Sequence, residues 1–516
     1  MKKPGAWITV LVVLSVAVLA TGCGRSSQTT VTDPVSIGPA TVSPTSNPLV
    51  AQYSVNVSAA SSVWVQFGPD TTYALATSSE LVPAGGGTVK FLVGGMRAST
   101  LYHMQAVAQL SDGSLVKDSD QTFTTGAMPA DEIPSVQVTT APAASPQSGI
   151  ELLDLADITK PAATVVATDL SGNVIWYYNG APAGTLPNPV KLLPNGDFLI
   201  NYSGVPTSGD NSLLEEVDLA GDVVWKMDAA DLNSALAAAG YGLTVVGTHH
   251  DFAILPNGHL IVIASMVKNY TNLPGYPGTT AVTGDVLIDL DQNHNPVWTW
   301  SEFDHLDINR HPMQFPDWTH TNAVLYSPSD GDLIISIRHQ HWLVKIDYQD
   351  GQGSGDIVWR LGWQGDFKLV GGTDPEDWFY AQHGPSFVGA SSSGTFEMAL
   401  FDNGDNRVVD GSGDVCGTTV PCYSTEPVLQ IDEAAKTATI TGRDNLTPLY
   451  SLWGGNAEVL TNSDWEIDEC APTSVGATVL EVTPDSSHQT VWSMQITGQN
   501  AYRAFRMPSL YPGAQW

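Results

Sequence analysis

DLSGNVIWYY at 169–178 and DLAGDVVWKMD at 218–228 repeat one phrase, Asp-Leu-x-Gly-x-Val-x-Trp, and the reading of that phrase decides the fold. Looser copies stand at DLDQNHNPVWTW 289–300, DYQDGQGSGDIVWRL 347–361 and TPDSSHQTVWSM 483–494. A second phrase, Leu-Pro-Asn-Gly ahead of an apolar strand, occurs in LLPNGDFLIN 192–201 and ILPNGHLIVIA 254–264, and more loosely in LYSPSDGDLIISI 325–337. Asn-Gly or Asp-Gly between β-branched apolar runs marks a hairpin turn. Each phrase is therefore a hairpin, and the two together make a four-stranded unit.

Units of this kind stack radially, each burying its Trp and aliphatic face on the next. The expected fold class is all-β: a six-bladed β-propeller preceded by a small β-sandwich. Blades are expected to open near Val190, His249, His320, His383 and Tyr450. The sixth joins YRAFRMPSLYP at 502–512 to the segment 150–178, so that the two ends of the chain close the ring and remove its exposed edges.

Ahead of the propeller, expected at 148–516, the chain divides by composition. Lys2 and Lys3 precede an apolar run from Ala6 to Ala20 that ends in LATGC, with small residues before Cys23. This resembles a bacterial lipoprotein signal at 1–23, which would leave Cys23 as a lipidated N-terminus and attach an exported protein to a membrane of the cell envelope or periplasm. Residues 24–48, rich in Ser, Thr and Pro, read as a tether; 49–127 as the sandwich; 128–147 as a Pro- and Ala-rich linker. The stretch 95–126 is similar to a fibronectin type III module. Charged residues are sparse at 14%, Gly is frequent at 48, and the net charge of −33 excludes nucleic acid as a partner, because phosphates would be repelled. Cys416 and Cys422 are close enough to form a disulfide in an oxidising compartment, Cys470 is left over, and no CxxC zinc spacing occurs.

The chemistry concentrates where blades begin. THHD at 248–251, THTN at 319–322 and QHG at 382–384 place His249, His320 and His383 in equivalent positions of successive inner strands, facing one channel. His250 would point to the opposite face of a regular strand; the repeat favours His249 over it. Folding DWTHTNAVLYSPSDGDLIISIRHQHW (317–342) about its turn brings Arg338 opposite His320, with Asn322 on the same face. Three imidazoles could hold a divalent metal, but Arg338 would repel it, so no metal is expected. A guanidinium and an amide suit a tetrahedral oxyanion, and a histidine beside them could attack its central atom. From the residues alone, sulfate and phosphate remain open.

THHD 248–251, DWTHTNAV 317–324, SIRHQHW 336–342, AQHG 381–384 and FDNGDNR 401–407 together resemble the bacterial arylsulfate sulfotransferases. The resemblance implies transfer of a sulfuryl group from a phenolic sulfate ester to a phenolic acceptor, without cofactor, by a ping-pong route through a sulfohistidine. It places the nucleophile at His383 and the groups that hold the sulfuryl oxygens at His249, His320, Asn322 and Arg338. Hairpin geometry puts Asn403 opposite His383, where it would either orient the imidazole or serve the turn, and Trp318, Tyr380 and Trp342 read first as blade packing and second as aromatics that stack on the aryl ring. Rival readings are an ester hydrolase of sulfate or phosphate, a metal-dependent lyase and a non-catalytic envelope scaffold. Oligomeric state, homodimer included, is open.

Overall fold

The computed structural model describes residues 36–516 except 60, 130–133, 157–163, 183, 205–210, 393, 410–412, 419, 445–448 and 473–475. The export segment, Cys23 and most of the expected tether lie outside the described residues. The fold is all-β. Six sheets of four or five strands follow one another, antiparallel but for the outermost strand of the fourth, Lys368–Val370, which pairs in parallel; their inner strands are Thr185–Leu192, Gly247–Ile254, Thr321–Ser327, His383–Ser392, Asn456–Val459 and Asn500–Met507. The sixth sheet takes its inner strand from the C-terminus and its other three, Ile150–Ala156, Thr164–Asp169 and Val174–Tyr178, from much earlier in the chain. The first five inner strands pack each on the next, and Asn500–Met507 packs both on Thr185–Leu192 and on Trp465–Glu469 of the fifth sheet, so the contacts return to their start.

The repeat phrases explain why. In Leu-Pro-Asn-Gly the glycine takes the left-handed backbone that closes the hairpin, at φ 93 for Gly196 and 81 for Gly258. In Asp-Leu-x-Gly the aspartate caps its own turn: Asp169 Oδ1 accepts from Ser171 and Asn173 N–H at 2.9 and 3.0 Å. The tryptophan joins one unit to the next. Trp176 donates its indole N–H to Leu219 O at 2.9 Å, Trp300 to Gly355 O at 2.8 Å, Trp359 to Glu433 Oε1 at 2.7 Å and Trp492 to Leu170 O at 2.9 Å. Each reaches from its own sheet to a turn of the following sheet. Trp492 is fully buried and ties the fifth sheet to the sixth. Trp492→Ala is expected to cost about 3–5 kcal/mol through cavity and lost contacts, read as a lowered denaturant midpoint; a cost under about 1 kcal/mol would contradict this stapling role.

Two boundaries differ from the sequence expectation. Residues 37–44, assigned to the tether, form the strand Ile37–Pro44 paired with Ala51–Val57, since their alternating Ser, Thr and Val suit a sheet edge despite the prolines. Within the expected linker, Ser135–Thr140 adds a fifth strand to the fifth sheet by pairing with Thr490–Thr497, and Val136 and Val138 pack onto the apolar cluster there. The N-terminal module has two sheets whose shared core includes Tyr53, Val65, Phe91 and Met104. That core runs on into Trp176 and Phe198 of the neighbouring sheets. The module is thus packed on the larger unit, not strung before it.

Candidate active site

The AQHG and FDNGDNR motifs meet in the fourth sheet. His383 pairs with Phe401, which brings Asn403 round to the imidazole. Gly384 is obligatory, because at φ 49 an added Cβ would collide with Asn456. Asp402 and Arg407 form a buried 2.6 Å ion pair that locks the bend, and Gly404 admits the Tyr423 carbonyl against its Cα. Within that bend Asn403 Oδ1 lies 2.6 Å from His383 Nδ1. Asn403 Nδ2 donates to Ser451 O at 2.8 Å and Gly454 O at 3.1 Å, which fixes the amide with its oxygen toward the histidine. An amide oxygen can only accept, so His383 carries its hydrogen on Nδ1 and its lone pair on Nε2. Burial, then Arg338 and Arg503, push the His383 pKa well below the usual imidazole value, despite the Asn403 bond. This imidazole is neutral.

The Cys416–Cys422 disulfide closes a loop just beyond the bend, and Cys416 N–H donates to Arg407 O at 2.9 Å. Replacing both cysteines by serine is expected to cost about 2 kcal/mol for so short a loop, measured by denaturation with and without reductant. No change between oxidised and reduced protein would show that the bond does not constrain this region.

Arg338 and His320 face each other at the end of the third sheet: Arg338 N–H donates to His320 O at 3.3 Å. Beyond Ile337 the strand tightens into a 3₁₀ turn, Arg338–Gln340. Arg338 is buried, donates to Asp405 Oδ2 at 2.6 Å and Leu452 O at 3.1 Å, and lies 2.6 Å from His339 Nε2. Its Nε–H is buried and meets no acceptor among the described residues, a donor suited to an anion. His320 Nδ1 sits 2.5 Å from Asp317 Oδ2. Burial would raise the Asp317 pKa, yet the charge and hydrogen bond of His320 hold it well below the usual carboxylate range.

Four imidazoles gather here. The ring of His250 lies 4.6 Å from that of His320 and 4.9 Å from that of His249, and His320 stacks on His339 at 4.6 Å. Tyr502 packs against both His250, at 5.9 Å, and His383, at 6.2 Å. His250 and His320 both hold left-handed backbone, φ 59 and 53, a strain tolerated by few non-glycine residues and common at functional sites. That kink carries His250 off the face a regular strand would give it. Sequence favoured His249, but His250 is the ring adjoining His320 and Tyr502, and His249 stands one step behind it. Asn322 is fully buried, its Nδ2 donating to Gln382 O at 2.7 Å, so it braces the residue before His383.

Three aromatics suggested by the sequence are packing residues. Trp318, Tyr380 and Trp342 are buried; Trp318 donates to Arg310 O at 2.9 Å and Trp342 lies under the Arg310 guanidinium. Sequence reading missed Arg503, Tyr502, Asp317 and Asp405, and ranked His339 and His341, which flank Arg338, below the other histidines. Arg503 is buried, donates to Gly455 O and to Asn322 O, and its only sequence signal was a basic residue inside the apolar closing strand. His339 reads as the wrong face of a strand until the 3₁₀ turn is seen. Among the described residues one group, Asp317, His320 and His339, has ligating atoms near enough for a metal ion. Both nitrogens of His339 are engaged, by Arg338 and by Asp317 O at 2.9 Å, and the guanidinium opposes a cation. The donor set fits an oxyanion better.

A sequence model of the family described as Arylsulfotransferase (ASST) matches residues 136–503. No curated protein matches the chain. A solved structure described as an ACO/RPE65 chimera in a trigonal crystal form is 8% identical and aligns with a TM-score of 0.31, over 72% of this chain and 95% of the other. The family match spans all six sheets and every motif that builds the histidine cluster, and on it the chain belongs to the arylsulfotransferase family.

Proposed function

We propose that this sulfotransferase moves a sulfuryl group from an aryl sulfate ester to a phenolic acceptor in two half-reactions through His383. The six sheets are read as the blades of a propeller and the N-terminal pair of sheets as a fibronectin type III-like sandwich, with the inner strands lining the channel that holds the site. The observation that carries the proposal is the fixed tautomer of His383, whose Nδ1 is tied to Asn403 and whose Nε2 keeps a lone pair.

In the first half-reaction Nε2 attacks sulfur, the S–O bond to the ring breaks and the aryloxide leaves with the electron pair. Arg338 and His320, the latter held by Asp317, stabilise charge on the sulfuryl oxygens. In the second, the acceptor oxygen attacks sulfur, a cluster imidazole takes its proton, and the S–N electrons return to Nε2. Leu452, 53% exposed with its carbonyl on Arg338, offers apolar surface to the aryl ring. Export and lipid attachment through Cys23 belong to the same reading, and would place the reaction at the cell envelope.

Three measurements test this reading. Chelator-treated protein given p-nitrophenyl sulfate should release nitrophenol continuously only with added phenol, and as a single stoichiometric burst without it; loss on chelation with rescue by metal would sink it. The rate should fall in acid as Nε2 protonates, with a midpoint below 6.5, the ordinary imidazole value, because His383 is depressed. An acid limb at or above that value would contradict the assignment. Asn403→Ala frees the ring to flip and is expected to cost roughly 10–100-fold in kcat with little change in KM.

A further inference from the structure

Behind His250 lies a buried chain of groups that the transfer scheme does not use. His250 Nδ1 is 2.7 Å from His249 Nδ1, and His249 Nε2 is 3.0 Å from Asp285 Oδ1. The other oxygen of Asp285 accepts from Thr321 N–H at 2.7 Å and from Thr319 Oγ1 at 2.9 Å. Glu302 closes the chain, accepting from Asp285 N–H at 3.0 Å and from the Thr321 hydroxyl. Asp285 and Glu302 are 3% and 1% exposed, so bulk water does not supply these contacts.

The proton positions follow from donor and acceptor roles. Asp285 accepts, so His249 bears hydrogen on Nε2 and a lone pair on Nδ1. That lone pair accepts from His250, whose hydrogen therefore sits on Nδ1. His250 is left with a lone pair on Nε2, as His383 is. Burial first, and then the neighbouring His320 and His249, with Arg503 adding to them, push the His250 pKa well below the usual imidazole value, and Tyr502 packs on its ring. Burial, and then the Asp285 charge beside it, push the Glu302 pKa up to about 8.

We infer that Asp285 is a positioning residue which, through His249, sets His250 as the base that takes the acceptor's proton. The inference rests on the two-half-reaction reading above. In the second half-reaction the acceptor O–H proton passes to His250 Nε2 as the oxygen bonds to sulfur and the S–N bond breaks. The positive charge is then shared along His249 toward Asp285. The proton leaves to solvent or to the aryloxide released earlier, which balances the cycle.

The test is Asp285→Asn in the full-length enzyme. An amide nitrogen facing His249 reverses every proton in the chain and leaves His250 with hydrogen on Nε2, while the amide oxygen still accepts from Thr321 and Thr319. With p-nitrophenyl sulfate the burst of nitrophenol that reports formation of the sulfated enzyme should keep its rate. Turnover with unsubstituted phenol as acceptor should fall roughly 10–100-fold, and an acidic phenol already ionised at the working pH should restore most of it. A uniform loss over both half-reactions and all acceptors would overturn the relay and leave Asp285 a structural residue. His249→Asn, which keeps an acceptor near His250 Nδ1 but cuts the link to Asp285, should give a milder defect in the same half-reaction; a defect confined to the burst would also overturn it. Absence of any burst in the unaltered enzyme would instead overturn the two-half-reaction reading itself.

Discussion

Replacing His383 by alanine is expected to lower aryl sulfate turnover by at least about 10⁴-fold, to the background of the uncatalysed reaction. His383 is 1% exposed, so alanine leaves a cavity, and some stability is lost as well. His383→Gln separates the effects. Glutamine fills much of the volume and can still meet Asn403, but it offers no nucleophilic lone pair on nitrogen. It should be as inactive as alanine while folding better. Retention of even one per cent of turnover in either variant would move the nucleophile elsewhere in the cluster, with His250 the next candidate.

The second large effect is at Arg338. Arg338→Ala should reduce kcat by roughly 10²–10³-fold, the usual loss when one donor to a developing oxyanion is removed. It also strands Asp405, which is 4% exposed and pairs with Arg338 at 2.6 Å, so stability falls too. The pair Arg338→Ala with Asp405→Asn removes the stranded charge. Stability should recover in that double variant and activity should not. Recovery of both would mean that Arg338 serves the fold and not the transfer. Asp405→Asn alone leaves the guanidinium in place and should cost no more than about tenfold.

Much of the architecture was legible because its signals are local. Gly196 and Gly258 mark turns by their own backbone needs, and Trp176, Trp300 and Trp492 recur in copies of one phrase because each must reach the next turn. The approach of Asn403 to His383 was likewise legible, as hairpin arithmetic across a single sheet. What was ranked too low depends on departures from regular strand geometry. His250 enters the cluster through a left-handed residue, and His339 through a 3₁₀ turn; alternation along a strand points both the wrong way. Arg503 and Asp285 escaped for another reason. They lie 181 and 36 residues from the atoms they support, Asn322 O and His249, with no motif linking them. The strand at 37–44 shows the reverse error, since Ser- and Thr-rich composition resembles a tether until a partner strand is available.

The most direct measurement is to trap the enzyme after one half-reaction. The full-length protein is mixed with p-nitrophenyl sulfate in the absence of acceptor, quenched in base to preserve an N–S bond, digested and mapped by mass spectrometry. One sulfuryl group is expected per chain, on the peptide containing His383, disappearing when phenol is added before the quench. Attachment to a different residue, or nitrophenol release with no covalent adduct at all, would contradict transfer through His383.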